Sequence, residues 1–396
     1  MKACIVLLLC LASTGLYAQQ DKQSDTTVNR GVPLIVATKA ELLNNVDVIA
    51  NMQASFSNFF NDGDYNSSRF VLNQFRLEIK GDVFKEKVFF RWRNRYTMDP
   101  VVQNIDNVVS ATDMAYIGYN ISDRTSVTFG KISAAWGGYE FELNPIDIYQ
   151  YNDIIDHAEN FLGGVQATWK ASPNHSITGQ LLNSRNRFFN EVYSNVPELT
   201  EAKFPAAVVG LWSGSFLDGK FQTLWSFSVF QEAKKLHKSV NMYYTALGNQ
   251  VRLKDWLVQY DFKWSSEELD RTGLVSSFIP ENILDHAAED VDYKEHWLRV
   301  VYSLNQQWRI SAVGMVSTAK WKDIPDPMVD SKRLRTSWGI IPSIEFYPIE
   351  NYNLKLFGAY VQRYYEYSGY AKNTLDQRNY NTGRLMIGII SPLLIL

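Results

Sequence analysis

Beyond its tenth residue the sequence contains no cysteine. Cys4 and Cys10 are the only two among 396 residues. Both lie in an N-terminal apolar segment, so the rest of the chain has no disulfide and no thiol chemistry. An excess of charge of one sign is also missing. The 39 Lys and Arg residues stand against 42 Asp and Glu, a formal net charge of -3. A general nucleic-acid binder needs a clustered basic balance, and none is present. No run of 18 apolar residues follows Ala18, so no membrane helix is expected. Histidine is scarce: His157, His175, His237, His286 and His296 are all there is. No serine sits in a Gly-x-Ser-x-Gly elbow. A hydrolase built on a nucleophile and a base therefore has little to stand on, and no enzyme or cofactor is expected.

What the chain has in abundance is aromatic residues, 14% of the total, with 22 Tyr, 22 Phe and 11 Trp. Aromatic girdles at both bilayer interfaces would use such an excess. Lys2 is followed by an apolar run over 3–11 and by small residues up to Ala18. A positive start, a short apolar core and a small residue at the cut make a secretory signal peptide. Residues 1–18 are expected to be removed, leaving Gln19 first. Residues 19–44 are polar and irregular and read as a flexible periplasmic leader.

From Asn45 the period becomes two. Val46, Val48, Ala50, Met52, Ala54 and Phe56 alternate with Asp47, Asn51, Gln53, Ser55 and Ser57. Residues two apart share one face of a strand. The run is about a dozen residues long, and a tilted membrane strand needs about 9–11. The alternation returns over 74–80, 88–98, 224–230, 257–264 and 354–361. Short turn signals at 81–82, 122–123, 172–174, 218–219, 254–255, 305–306 and 350–351 carry Gly, Asn, Asp or Pro. Longer polar stretches lie near 61–68, 99–111, 134–161, 186–204, 232–239, 266–292, 320–333 and 367–379.

Short turns on one side and long loops on the other describe a transmembrane β-barrel of the bacterial outer membrane. The expected class is all-β: residues 45–396 as a closed antiparallel barrel of about 16 strands, with short periplasmic turns and long extracellular loops. A missed hairpin would make the count 14 or 18. The rival is a secreted β-sandwich, which also alternates but needs neither strands of this length nor the loop rhythm.

Arg91, Arg93 and Arg95 share one face of one strand, with Arg76 and Lys80 on the polar face of the strand before. A lipid-facing Arg at mid-depth costs about 2–4 kcal/mol, so this row must face the lumen. It reads either as a selectivity patch or as a wall-stiffening salt-bridge network with Glu78 and loop acids. The third long loop, 134–161, carries Glu140, Glu142, Asp147, Asp153, Asp156 and Glu159 with no Lys or Arg. Folded into the lumen, it would set acids across from the basic wall. Left outside, it would hold divalent ions of the lipopolysaccharide layer. Asp153, Asp156 and His157 have no recognised metal-site spacing.

With these residues, and with Thr128-Phe129-Gly130-Lys131 leading into Gly137-Gly138, the mature chain resembles the phosphate-selective porin O and P family. The resemblance implies a trimeric pore with an anion preference and a third loop that narrows the lumen. It implies that Arg91, Arg93 and Arg95 line the anion path, with Lys131 near the constriction. Two features depart from the pattern. The third loop is acidic, and the chain ends on Leu396 instead of an aromatic residue. The expected function is passive diffusion of small hydrophilic or anionic solutes. The alternative is a non-conducting surface receptor or adhesin with a plugged lumen. A gated transporter would need a plug domain, and 19–44 is too short for one.

Overall fold

The alternating segments pair into one continuous antiparallel sheet. The computed structural model describes residues 45–83, 86–99, 106–235, 238–329, 331–349 and 352–395. The expected signal peptide and leader lie outside them. In chain order the strands are β1 (Val46–Asn61), β2 (Asp64–Val83), β3 (Val88–Arg95), β4 (Thr112–Ser122), β5 (Thr125–Ser133), β6 (Phe161–Ser172), β7 (His175–Asn183) and β8 (Leu199–Glu201). They continue with β9 (Ala206–Phe216), β10 (Phe221–Lys235), β11 (Lys238–Arg252), β12 (Trp256–Leu269), β13 (Glu289–Ser303), β14 (Trp308–Trp321), β15 (Arg333–Phe346), β16 (Lys355–Tyr367) and β17 (Tyr380–Leu394).

Sixteen of these form the wall. The three-residue β8 belongs to a loop and pairs only with the top of β10. Ladder pairing of β1 with β17, from Ile49↔Leu394 to Asn61↔Thr382, closes the sheet on itself. Closure leaves no bare edge at the seam, which a membrane-spanning sheet requires because lipid offers its backbone no hydrogen-bond partner.

The alternation decides which face looks where. On β1, Asn51, Gln53, Ser55 and Ser57 are buried, while Phe56 is exposed. On β12, Gln259 and Asp261 are buried, while Tyr260 and Trp264 are exposed. On β15, Ser337 and Ser343 point in, and Ile340 and Ile344 point out. The outward apolar side chains meet hydrocarbon and the polar ones meet the barrel interior. Ile340 is 49% exposed at the middle of its strand. Ile340→Arg should therefore destabilise the barrel by about 2–4 kcal/mol, read as the unfolding free energy in bilayers. A change near zero would mean that this face does not meet lipid.

Three expected boundaries move. The stretch near 61–68 is no long loop: β1 and β2 continue to a two-residue turn at Asp62-Gly63. Its polar residues misled because this hairpin top is held by polar contacts, such as Ser68 Oγ donating to Asn58 Oδ1 at 2.6 Å, and not by an apolar face. The stretch near 232–239 likewise belongs mostly to β10 and β11. Gly81 and Asp82 lie inside β2, with the connection following Val83. Six long connections remain: 96–111, 134–160, 184–205, 270–288, 322–332 and 368–379.

Nor is the interior uniformly polar. Trp136 of the third loop stacks on Tyr244 at 4.5 Å and meets the edge of Phe230 at 6.0 Å. Around it lie Ile132, Leu162, Leu182, Met242 and Tyr293. Part of the lumen is thus a hydrophobic core that seats this loop.

Candidate functional site

The arginine row is built by register. Across β2 and β3, Arg76 faces Arg95, Glu78 faces Arg93, and Lys80 faces Arg91. Like charges directly opposite would repel, so carboxylates must intervene. Arg91 pairs with Glu78 at 3.0 Å. The second carboxylate comes from a register shift. Arg93 pairs with Met114 and Asn94 with Thr112, which leaves Asp113 as an extra residue between them. Such a bulge re-aims a side chain. Asp113 is fully buried and lies 3.4 Å from Arg76, 3.2 Å from Arg93 and 2.6 Å from Arg95. Four guanidinium groups thus share two carboxylates. Arg76 and Arg93 are enclosed, but the side chains of Arg91 and Arg95 keep 28% and 25% exposure. Arg93 and Arg95 also lie 5.3 and 6.0 Å from the Phe161 ring centre.

Lys80, the ladder partner of Arg91, is partly exposed, with Asp47 at 3.9 Å. Lys131 stands apart from the row. Alternation puts it on the face of the exposed Phe129, opposite that of Tyr116, the ladder partner of Arg91. It is buried against Asp106 at 2.9 Å. Spacing along β5 could not show this, because Asp106 arrives from another loop.

Residues 134–160 run across the inward face of the sheet and are held along their whole length. Gln180 of β7 accepts from Ala135 N at 2.7 Å, and Ser226 of β10 donates to Trp136 O. Asp261 of β12 accepts from Tyr139 N and Glu140 N. Gln53 of β1 donates to Ile146 O at 2.7 Å. Arg384 of β17 donates to Tyr149 O.

The loop acids have separate fates. Glu140 is buried and pairs with Lys263. Asp147 lies 2.7 Å from Lys355. Asp153 binds Arg335 at 2.5 Å, Arg363 at 3.0 Å and Ser337 Oγ at 2.8 Å. Burial pushes the Asp153 carboxyl up, but Arg335 and Arg363 outweigh it and hold the group below the ordinary carboxylate value. Glu142 is half-buried and Asp156 is exposed. Although its surface is exposed, partial desolvation outweighs the neighbouring His157 and, with Asp153 nearby, holds the Asp156 carboxyl above its ordinary value. Glu159 Oε2 accepts from Asn186 N at 3.2 Å. Burial raises the Tyr151 phenol to about 12 against the pull of Arg76, Arg93 and Arg95, so this part of the loop lies beside the row.

The bases that hold the loop, Lys263, Arg335, Lys355 and Arg363, could not be assigned from the sequence. Each is one charge on an alternating strand, and only the fold brings it under the loop. Nor do Asp153, Asp156 and His157 form a metal centre. Both Asp153 oxygens are taken by arginines, and His157 Nδ1 pairs with the Asp153 carbonyl oxygen at 2.9 Å.

The fold has solved counterparts. OmpF of Salmonella typhi, in a complex with daunomycin, superposes with a TM-score of 0.57 at 13% identity, over 87% of this chain and 97% of that one. An anion-selective porin from Comamonas acidovorans gives 0.56 at 9% identity, over 87% and 98%. OmpT of Vibrio cholerae, in a trimer form, gives 0.51 at 8% identity, over 87% and 98%. At such low identity these likenesses show the fold alone. No curated protein matches the sequence. The profile of the phosphate-selective porin O and P family matches residues 46–389, nearly the whole barrel. The chain therefore belongs to the phosphate-selective porin O and P family and is a porin of the bacterial outer membrane that lets solutes pass by passive diffusion.

Proposed function

We propose that this porin favours anions and that solutes pass between the 134–160 loop and the wall carrying Arg91 and Arg95. One observation carries the reading: four arginines share two carboxylates, and two of the four, Arg91 and Arg95, stay partly exposed. The acidity of the loop does not cancel this surplus. Glu140, Asp147 and Asp153 pair with Lys263, Lys355, Arg335 and Arg363 of the wall, where Lys263 and Lys355 also meet Glu295 and Glu345. Rows of one charge set channel preference. Small oxyanions and other small polar anions are the solutes such a surface suits. Arg76, Arg91, Arg93 and Arg95 are its pore-lining set, Lys80 lies towards one end, and Asp156 is the loop acid that faces the passage.

The assembly in the membrane is a homotrimer, a reading supported by the trimeric form of the Vibrio cholerae neighbour. Residues 1–18 direct export, and lipid and lipopolysaccharide surround the barrel.

Reconstituted channels in a KCl gradient should give a reversal potential of chloride-preferring sign at neutral pH. Acidification should strengthen it. Asp156 has a raised pKa, so its negative charge is lost as pH falls through a window above the ordinary carboxylate value of about 3.9. Asp156→Asn should start from the strengthened value and lose that part of the pH response. A cation-preferring potential in the unaltered protein would refute the proposal.

A further inference from the structure

Two carboxylates of the wall opposite the arginine row bind no base of that row and take backbone N–H groups of the loop instead. Asp261 Oδ1 accepts from Tyr139 N and Oδ2 from Glu140 N, each at 2.8 Å. Glu295 Oε1 accepts from Ile154 N at 2.6 Å. Lys263 stands between them, paired with Glu140 and 3.5 Å from Glu295. Glu140 Oε1 in turn accepts from Asn152 N at 2.6 Å. Lys263 and Glu295 are direct ladder partners, and Asp261 faces Trp297 two residues along the same pair of strands. One small area of β12 and β13 therefore grips the loop at both ends of its crossing.

Steric fit makes the grip close. Gly248 is the ladder partner of Asp261 on β11. A Cβ at Gly248 would lie 2.7 Å from Gly138 Cα and 3.0 Å from Asp261 Oδ1. Gly138 itself has φ +78°, and a Cβ there would lie 3.0 Å from Asp261 Oδ2. Only two facing glycines let loop and wall backbones approach this closely. That approach is what brings two successive N–H groups onto one carboxylate. The ladder from Met242↔Glu267 to Arg252↔Leu257 runs unbroken past this point. The wall is therefore complete without the contact, and the Asp261 bonds hold the loop alone.

We infer that Asp261, admitted by Gly248, is a positioning residue that fixes how far the 134–160 loop reaches across the lumen and so sets the bore. The inference rests on reading this loop as the constriction. Two variants test it. Asp261→Asn turns one acceptor into an N–H facing an N–H. Gly248→Ala pushes the loop off without adding or removing any charge. Each should raise single-channel conductance about twofold and speed the entry of neutral sugars into liposomes, because bore governs both. Gly248→Ala should leave the reversal potential unchanged. A failed charge assignment would appear instead in the reversal potential of the unaltered protein. In that unaltered protein the Tyr139 and Glu140 amides should exchange hydrogen as slowly as those of the wall strands. Assembled variants with unaltered conductance, or fast exchange at those two amides, would overturn the inference. Should neither variant assemble, the exchange measurement decides.

Discussion

Replacing Arg91, Arg93 and Arg95 together by glutamine is expected to turn an anion-preferring channel into a cation-preferring one. In the unaltered wall four guanidinium groups face two carboxylates, a surplus of two positive charges. In the triple variant only Arg76 remains against Glu78 and Asp113, a surplus of one negative charge. The sign of the wall is inverted, not merely weakened. A unit charge about 4 Å away is worth about 1 kcal/mol even at the dielectric of water, and more beside protein. Local ion concentration should thus change several-fold, and the reversal potential in a KCl gradient should change sign. Glutamine keeps donors for Glu78 and Asp113, so the barrel should still close. An unchanged reversal potential in the folded variant would mean that permeating ions do not pass this row.

The second large effect is expected at Asp153. Its carboxylate is shared by Arg335 and Arg363, both nearly fully buried. Removing one member of a buried charge set strands the rest and costs about 3–5 kcal/mol. Asp153→Ala should therefore lower the unfolding free energy by that order and make the loop amides exchange faster. The partly exposed Asp147, paired with Lys355, should lose far less on the same change, about 0–1 kcal/mol. The pH response follows from the depressed Asp153 pKa. Its stabilisation is fully present above the unfolded value of about 3.9 and is lost only as pH falls through the lower folded value. The Asp153 anchor should accordingly stay charged from neutral pH down to about 4. Equal losses at Asp147 and Asp153 would remove the distinction drawn here between the two anchors.

The barrel was legible because its signal is local. Residues such as Asn51, Gln53 and Ser55 alternate with Met52, Ala54 and Phe56, and each strand announces both of its faces without help from its neighbours. Loop length was legible only where polarity meant loop. At 64–68 polar residues form a paired hairpin top, and the same composition serves both states. The arginine row could be placed on one face, but not its neutralisation. Asp113 enters through a bulge, and a one-residue register shift leaves no mark in composition. The surroundings of Lys131 were hidden for a related reason. It is two residues from Phe129 and shares its outward face, while the partner that covers it, Asp106, comes from a different connection. The acids of the loop were visible as a run. Their partners Lys263, Arg335, Lys355 and Arg363 are scattered over three strands, and no sequence spacing joins them.

The absence of cysteine from residues 45–396 makes the central claim directly testable by single-cysteine accessibility. Arg91→Cys, Arg95→Cys and Lys131→Cys channels are reconstituted one at a time and exposed to a water-soluble, charged thiol reagent while current is recorded. Passage along the arginine wall predicts a rapid fall in current at Arg91→Cys and Arg95→Cys and none at Lys131→Cys. Currents untouched at the first two, or blocked equally at all three, would contradict it.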